Sequence, residues 1–331
     1  MKNQGALTVI ALVLIGLPGV ALRAQPAAEQ QLQNTQQQSQ QQNSFSSLVS
    51  DTTAPELYPG ENSDIGPQRI LRLTPKPTPW EVYLDTQFFY TNNATFISNQ
   101  KIGSGVFVNT AQVSYSPGPY KLGPGTFAPS AGIASQWYNY GRQSLAALSF
   151  DAQTAFLDGK YNLGTHWQVL GGINYTRLLK PTYIESYREF LPNLGVQYVY
   201  SLRDNLVLIA GDQVAYHYTY VPPAFSGGPA TNINDRLDET VNVAIAWQLT
   251  GHLIFQPYYR FQYSYYPTDT LQTSSREDYL QTGGLTLAYY FNKSASARVF
   301  FNYNDKKSTD TFVQDYQESD GGLGASVDVK F

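Results

Sequence analysis

The sequence contains no cysteine and few charged residues. The absence of Cys from all 331 residues excludes disulfides, thiolate nucleophiles and Cys-ligated metal sites. Charged residues make up 14% of the chain, compared with roughly 25% in soluble domains. The formal net charge is -4, so the basic excess that accompanies nucleic-acid binding is also absent. We therefore expect neither a disulfide scaffold nor a nucleic-acid partner.

Aromatic residues are abundant instead. They make up 14% of the chain, which contains 26 Tyr. Few charges together with many Tyr suit a protein whose outer surface contacts lipid and headgroups rather than water. The mean hydropathy of -0.32 is compatible with such a surface. A barrel turns only every second side chain toward lipid, so its average hydropathy stays low.

The N-terminal residues 1–24 have the pattern of a secretory signal peptide. Lys2 supplies a positive start, residues 6–22 form an apolar stretch, and Ala24 is a suitable last residue before cleavage. The alternative is an uncleaved membrane anchor. In both cases the segment lies outside the folded domain.

Residues 25–78 have the composition of a linker. Nine of the thirteen residues 30–42 are Gln, and Leu32 is their only large apolar residue. Such a tract buries too little apolar surface to offset the entropy of ordering, so we predict a disordered periplasmic tether. A spacer that touches the cell wall or a partner is the alternative. Further along, Ile65, Ile70, Leu71 and Leu73 are expected either to dock at the barrel mouth or to belong to a plain linker.

From residue 79 the sequence alternates between apolar and polar residues, which is the period of a β-strand. The last eleven residues show this most clearly. One face carries Leu323, Ala325, Val327, Val329 and Phe331, whereas the other carries Gly322, Gly324, Ser326, Asp328 and Lys330. The alternation predicts twelve strands at 80–90, 105–116, 132–140, 145–157, 161–175, 190–200, 206–219, 240–249, 253–265, 279–291, 297–304 and 321–331.

The connections between these strands alternate in length. Short turns are predicted at 158–160, 203–205, 250–252 and 292–296, and long polar loops at 178–189, 222–239, 267–278 and 305–320. This asymmetry is typical of a transmembrane β-barrel with turns in the periplasm and loops outside. Segment 117–129 is long for a turn and 141–144 is short for a loop, so ten or fourteen strands remain open.

The stretch from Trp80 to Phe331 resembles the bacterial outer-membrane β-barrel class. Aromatic residues lie near the strand ends, and the chain closes on a terminal Phe after Val327 and Val329, which is similar to the sorting signal that the barrel-assembly machinery reads. The resemblance implies an all-β, antiparallel up-and-down transmembrane barrel in outer-membrane lipid, with both termini periplasmic. A soluble β-sandwich with aromatic edges is the alternative.

If the aromatic rings face lipid, the polar phase of each strand lines the lumen. Asp85, Asp151, Arg260 and Arg298 are then the predicted lumen charges. Such charges can set the selectivity of a pore for ions or solutes. They can equally pair across the lumen and fill it.

Catalytic and metal-binding patterns are weak throughout the chain. The three histidines are His166, His217 and His252, and no Ser lies beside His217 in sequence as a barrel hydrolase would require. We therefore expect no enzyme activity, cofactor or metal. A small porin-like channel for passive passage of small polar solutes is the first functional hypothesis. The alternative is a structural or interaction barrel with a closed lumen, which tethers a partner or the cell wall through residues 25–78 or its outer loops.

Overall fold

In the computed structural model, the described residues are Ala28, Gln31, Leu32 and the ranges 78–222, 234–267, 275–310, 313 and 315–331. The predicted signal peptide and most of the predicted linker, including the docking positions 65–73, lie outside these residues. Among the described residues, no helix is long and apolar enough to cross a bilayer.

The described chain is almost entirely β-structure, with one short 3-10 helix, η1, at Gln143–Leu148. The strands are β1 Trp80–Thr91, β2 Ser104–Tyr115, β3 Tyr120–Leu122, β4 Gly125–Tyr140, β5 Phe150–Leu163, β6 Trp167–Leu179, β7 Glu185–Arg203, β8 Leu206–Tyr220, β9 Arg236–Gln248, β10 Leu253–Tyr266, β11 Arg276–Tyr290, β12 Ala295–Ser308 and β13 Tyr316–Lys330.

Twelve of these strands form a closed antiparallel barrel. Each strand from β4 to β12 pairs with the next along the chain, β2 pairs with both β1 and β4, and β1 pairs with β13. The closing pair of strands, β1 and β13, runs in register from Glu81 opposite Lys330 to Thr91 opposite Asp320. The short strand β3 pairs only with β4 and stands outside the wall. The prediction of a twelve-stranded up-and-down barrel is confirmed.

The two ends of the barrel differ. We call turn end the end that carries Trp80, Lys330 and tight connections such as the one between Arg203 and Leu206, and loop end the opposite one. Two predicted long loops are shorter than expected, because β6 and β7 leave only residues 180–184 between them and β12 and β13 leave only 309–315.

The predicted turn at Asp158 and Gly159 is wrong. Strand β5 continues through both residues to Leu163, with Gly159 paired to Pro129 and to Gly171. The backbone of this extension finds its hydrogen-bond partners on the β3–β4 hairpin, which occupies the long segment 117–129. The unexpected length of that segment therefore adds a hairpin beyond the barrel rim rather than another pair of barrel strands.

The predicted start of the fourth strand at Leu145 is also wrong. Residues 143–148 form η1, and its Leu145 and Leu148 are buried in an apolar cluster inside the barrel. The loop between β4 and β5 is thus longer than residues 141–144 and folds inward. Strand β5 begins at Phe150 because the preceding residues contribute to this internal packing.

The predicted two-faced character of the wall is clear in β1. Leu84, Phe88 and Tyr90 are about half exposed on the outer face, whereas Asp85 and Phe89 are buried on the inner face. Strand β8 could not be oriented from its sequence, since both of its phases are apolar. In the structure Val207, Ile209 and His217 face inward, and Val214 and Tyr218 face outward. A closed wall with an apolar exterior has no unpaired strand edge, which is what a bilayer requires.

Candidate functional site in the barrel lumen

The inner faces of neighbouring strands form a polar ladder near the loop end. Arg260 Nη2 donates a hydrogen bond to Thr282 Oγ1 at 3.2 Å, and Thr282 Oγ1 donates to Asn304 Oδ1 at 2.8 Å. Asn304 Nδ2 and Thr91 Oγ1 then donate to the two oxygens of Glu318, at 3.0 and 2.7 Å. The ladder thus crosses five adjacent strands, β10, β11, β12, β13 and β1. Buried polar groups that satisfy one another in this way stiffen the wall that carries them.

Closer to the turn end, Arg298 and Asp85 form a bidentate ion pair. The distances are 2.6 Å from Nη1 to Oδ1 and 2.9 Å from Nη2 to Oδ2, and the Arg298 and Asp85 residues are 5% and 4% exposed. Strand β13 lies between their strands, and Gly324 is the Cα partner of Arg298. A Cβ at Gly324 would lie 2.9 Å from Arg298 Cζ, so glycine leaves room for the guanidinium to pass.

A second buried cluster surrounds His217 at the loop end. Its Nδ1 lies 2.8 Å from Glu189 Oε2 and its Nε2 lies 2.8 Å from Asp238 Oδ2. Arg236 Nε contacts both Asp238 oxygens at 3.1 Å, and Tyr187 donates a hydrogen bond to Glu189. Both ring nitrogens are therefore engaged by carboxylates inside the wall. His217 is 3% exposed, and among the described residues neither of its ring nitrogens contacts a hydroxyl or a thiol.

The opposite side of the lumen is apolar. Tyr138 and Phe150 stack with their ring centroids 4.3 Å apart, and both side chains point inward. The surrounding cluster also contains Val106, Val108 and Leu178, each fully buried. An apolar inner wall is unexpected for a water-filled pore, so something other than water should cover it.

Three N-terminal residues occupy this part of the lumen. Ala28 and Leu32 belong to the same apolar cluster as Tyr138 and Phe150, and Gln31 is buried beside them. All three are helical, and residues spaced three and four apart lie on one face of a helix. A helical face from the N-terminal part of the chain thus packs on the apolar inner wall.

Three of the four predicted lumen charges do lie inside the barrel. Asp85, Arg260 and Arg298 are buried on the inner face, although their role in selectivity remains a prediction. The assignment of Asp151 to the lumen is wrong. Asp151 pairs with Trp137 on the outer face of the barrel and stays partly exposed. Its neighbours Phe150 and Ala152 point inward instead, because they belong to the apolar cluster that receives Ala28 and Leu32.

Several residues of this site were not anticipated from the sequence. Ala28, Gln31 and Leu32 fall in the predicted tether, and the only sequence signal is the spacing of Ala28 and Leu32 within a polar tract. Most of that tether lies outside the described residues, so its disorder remains a prediction. Glu189, His217 and Asp238 come from three different strands, and only the pairing of β7, β8 and β9 brings them together. The terminal residues Val327, Val329 and Phe331 are exposed on the outer face.

The closed twelve-stranded wall, its exposed aromatic and aliphatic exterior and its buried polar interior have the architecture of an outer-membrane β-barrel. No protein-family profile matches the sequence, and no curated protein matches it. Solved structures match it at low identity. The KdgM porin in complex with disordered oligogalacturonate is 10% identical, covers 74% of this chain and 98% of its own, and has a TM-score of 0.39.

Two further matches are a second channel and an autotransporter domain. An outer membrane channel from Pseudomonas putida F1 is 10% identical over 76% of this chain and 96% of its own, with a TM-score of 0.47. The translocator domain of the autotransporter NalP from Neisseria meningitidis is 12% identical over 77% of this chain and 90% of its own, with a TM-score of 0.39. At these identities and TM-scores the matches assign no function to this chain, and the ligand of the KdgM complex belongs to that porin alone.

Proposed function

We propose that this protein is a narrow outer-membrane channel for small polar solutes, and that in the conformation described here its own N-terminal segment closes the lumen. The observation that carries the proposal is the packing of Ala28 and Leu32 on the apolar inner wall. This packing gives the inward-facing rings of Tyr138 and Phe150 a partner, which a permanently water-filled lumen would not.

The other wall of the lumen supports a polar path. Arg260, Asn304 and Glu318 line it, and their side chains are held in place by hydrogen bonds to neighbouring strands. If the N-terminal segment leaves, these groups become the polar side of a pore whose other side is aromatic. Fixed charges on a pore wall bias which ions pass.

The orientation follows from the difference between the two ends. We place the turn end, with Trp80 and Lys330, in the periplasm and the loop end outside, as is usual for barrels of this class. The chain then enters β1 from the periplasmic side, so the part of residues 25–78 that precedes Trp80 can contact the cell wall there. The exposed terminal strand with Val327, Val329 and Phe331 serves the barrel-assembly machinery during insertion into outer-membrane lipid.

The test is single-channel conductance in a planar bilayer. We expect the refolded chain starting at residue 25 to conduct rarely and the variant Leu32→Asp to conduct more often, because a carboxylate cannot remain in the apolar cluster without a large desolvation cost. In the Leu32→Asp background, Arg260→Ala should shift ion selectivity. Leu163→Asp is the control, since Leu163 is exposed at the turn-end extension of β5 and should leave conductance unchanged.

A folded, heat-modifiable barrel that conducts in none of these variants would overturn the channel. It would favour the second candidate, a closed barrel with a structural or binding role. One observation favours that candidate. The β3–β4 hairpin extends beyond the rim, and its Tyr120 and Leu122 are 53% and 58% exposed. Loss of envelope integrity on changing Tyr120 and Leu122 to Ser, with solute passage through the barrel itself unchanged, would support it.

A further inference from the structure

The outer surface of β6 and β7 carries two arginines side by side near the loop end. Arg177 and Arg188 are Cα partners in the β6–β7 ladder. Arg177 is exposed, and 43% of the Arg188 side chain is exposed. Both alternate with buried inner-face residues, since Thr176 and Tyr187 are buried. We call Arg177 and Arg188 the outer arginine pair.

The position of this pair relative to the bilayer is given by the row of side chains next to it. Tyr175, Phe190 and Tyr218 are consecutive partners across β6, β7 and β8, and they are 42%, 43% and 53% exposed on the outer face. Exposed aromatic rings of a barrel mark the boundary between hydrocarbon and headgroups. The outer arginine pair lies two residues nearer the loops on β6 and β7, and therefore in the headgroup layer.

The two guanidinium groups are held in place but only weakly compensated. Arg177 Nε donates a hydrogen bond to Gln153 Oε1 at 2.8 Å, and Arg188 Cζ lies 4.0 Å from the centre of the Tyr220 ring. The nearest acidic group to Arg188 is Glu185, whose Oε1 is 3.7 Å from Arg188 Nε. In the described part of the chain, Arg177 takes part in no ion pair. Like charges placed directly opposite each other on two strands are destabilising unless an anion joins them.

We propose that the outer arginine pair binds the phosphate of a lipid headgroup in the loop-end leaflet. Guanidinium groups match phosphate oxygens through paired hydrogen bonds, which a single ammonium cannot reproduce. Tyr220 and Gln153 orient the two groups from either side. The row of Tyr175, Phe190 and Tyr218 provides an apolar surface for the acyl chains directly below the phosphate.

This site lies on the outside of the wall and is independent of the state of the lumen. It requires only that the aromatic exterior faces lipid, and it holds whether or not the barrel conducts. A soluble phosphate ion presents the same oxygens, but it would gain nothing from the aromatic row. The ligand is therefore distinguished by its acyl chains as well as by its phosphate.

The experiment measures binding to the chain starting at residue 25, folded in uncharged maltoside micelles. The probes are a short-chain phosphatidic acid, the diacylglycerol of the same chain length, and inorganic phosphate. We expect phosphatidic acid to bind, and the other two probes to bind at least about tenfold more weakly, since each lacks one half of the contact. Changing both Arg177 and Arg188 to Gln should weaken phosphatidic acid binding by about tenfold or more.

Two variants control for folding and for general charge. Arg203→Gln removes an exposed arginine from the turn end of the same strand β7 and should leave binding unchanged. Changing Arg177 and Arg188 to Lys keeps both charges but loses the paired hydrogen bonds, so affinity should be intermediate. Equal binding by the native chain and the double Gln variant would overturn the site. Inorganic phosphate that binds as tightly as phosphatidic acid would overturn the lipid assignment and make the pair a site for a soluble anion.

Discussion

Arg298 and Asp85 form a buried bidentate ion pair that joins β12 to β1 across the backbone of Gly324. The pair spans the strand that closes the barrel, because β13 lies between the two strands that carry it. It therefore links β12 to β1 on the inner side of β13. This contact adds to the backbone hydrogen bonds between β1 and β13 that close the barrel.

Removal of the negative partner should destabilise the barrel strongly. Asp85→Asn keeps the size of the side chain but leaves Arg298 buried without its counter-charge, so we expect a loss of about 3–5 kcal/mol. Urea unfolding in lipid vesicles, followed by loss of the heat-modifiable form, measures this loss. Asp85→Leu combined with Arg298→Met should cost less than the sum of the two single changes, and full additivity would show that the two residues do not interact.

Gly324 should tolerate no side chain. Gly324→Ala places a Cβ 2.9 Å from Arg298 Cζ, which forces the guanidinium away from Asp85. We expect a loss of about 1–3 kcal/mol, as is usual for overpacked sites. Gly283→Ala is the matched control, because a Cβ there meets nothing within 4 Å. If the two substitutions have equal effects in the same unfolding assay, the Arg298 side chain does not pass over Gly324 as described.

The orientation of the wall can be tested with two residues of β7. Leu194 is 64% exposed on the outer face near the middle of the strand, whereas Gln197 lies on the inner face with Gly211 as its partner. Leu194→Arg should cost about 2–4 kcal/mol in a bilayer, because it places a charge in the hydrocarbon. Gln197→Arg should cost much less. If both variants unfold at the same urea concentration, the outer face is not the one in contact with lipid.

The last residue should matter for barrel closure and assembly. Phe331 and Trp80 form two backbone hydrogen bonds with each other, at 3.0 and 3.1 Å, at the turn end of the paired strands β1 and β13. Deletion of Phe331 removes both bonds together with the exposed terminal ring, so unassembled chain should accumulate in the periplasm. Phe331→Tyr keeps the backbone and an aromatic ring and should assemble. The measurement is the fraction of heat-modifiable barrel in outer-membrane preparations, and normal assembly after the deletion would refute the role.

Most of the barrel could be predicted from local alternation. Leu84 and Asp85 lie on opposite faces of β1, as expected. Only one face of the wall contacts lipid, and a shift of one residue would turn every apolar side chain of an alternating strand to the wrong face. The prediction failed for Asp151, where the inner side of the strand is the more apolar one. It also failed at Asp158 and Gly159, whose turn propensity is overridden by hydrogen bonds to the neighbouring strands. In both cases the deciding partners are distant in sequence.

The sequence by itself determined the all-β alternating pattern of about twelve strands, the faces of most of them and the presence of charges in the interior. These properties follow from a period of two residues and are encoded locally. The tertiary structure alone decided which charges meet, as in the contacts of His217 with Glu189 and Asp238. It also decided that Ala28 and Leu32 lie in the lumen. The apolar wall on which they pack is formed by residues of several strands and exists only once the barrel has closed.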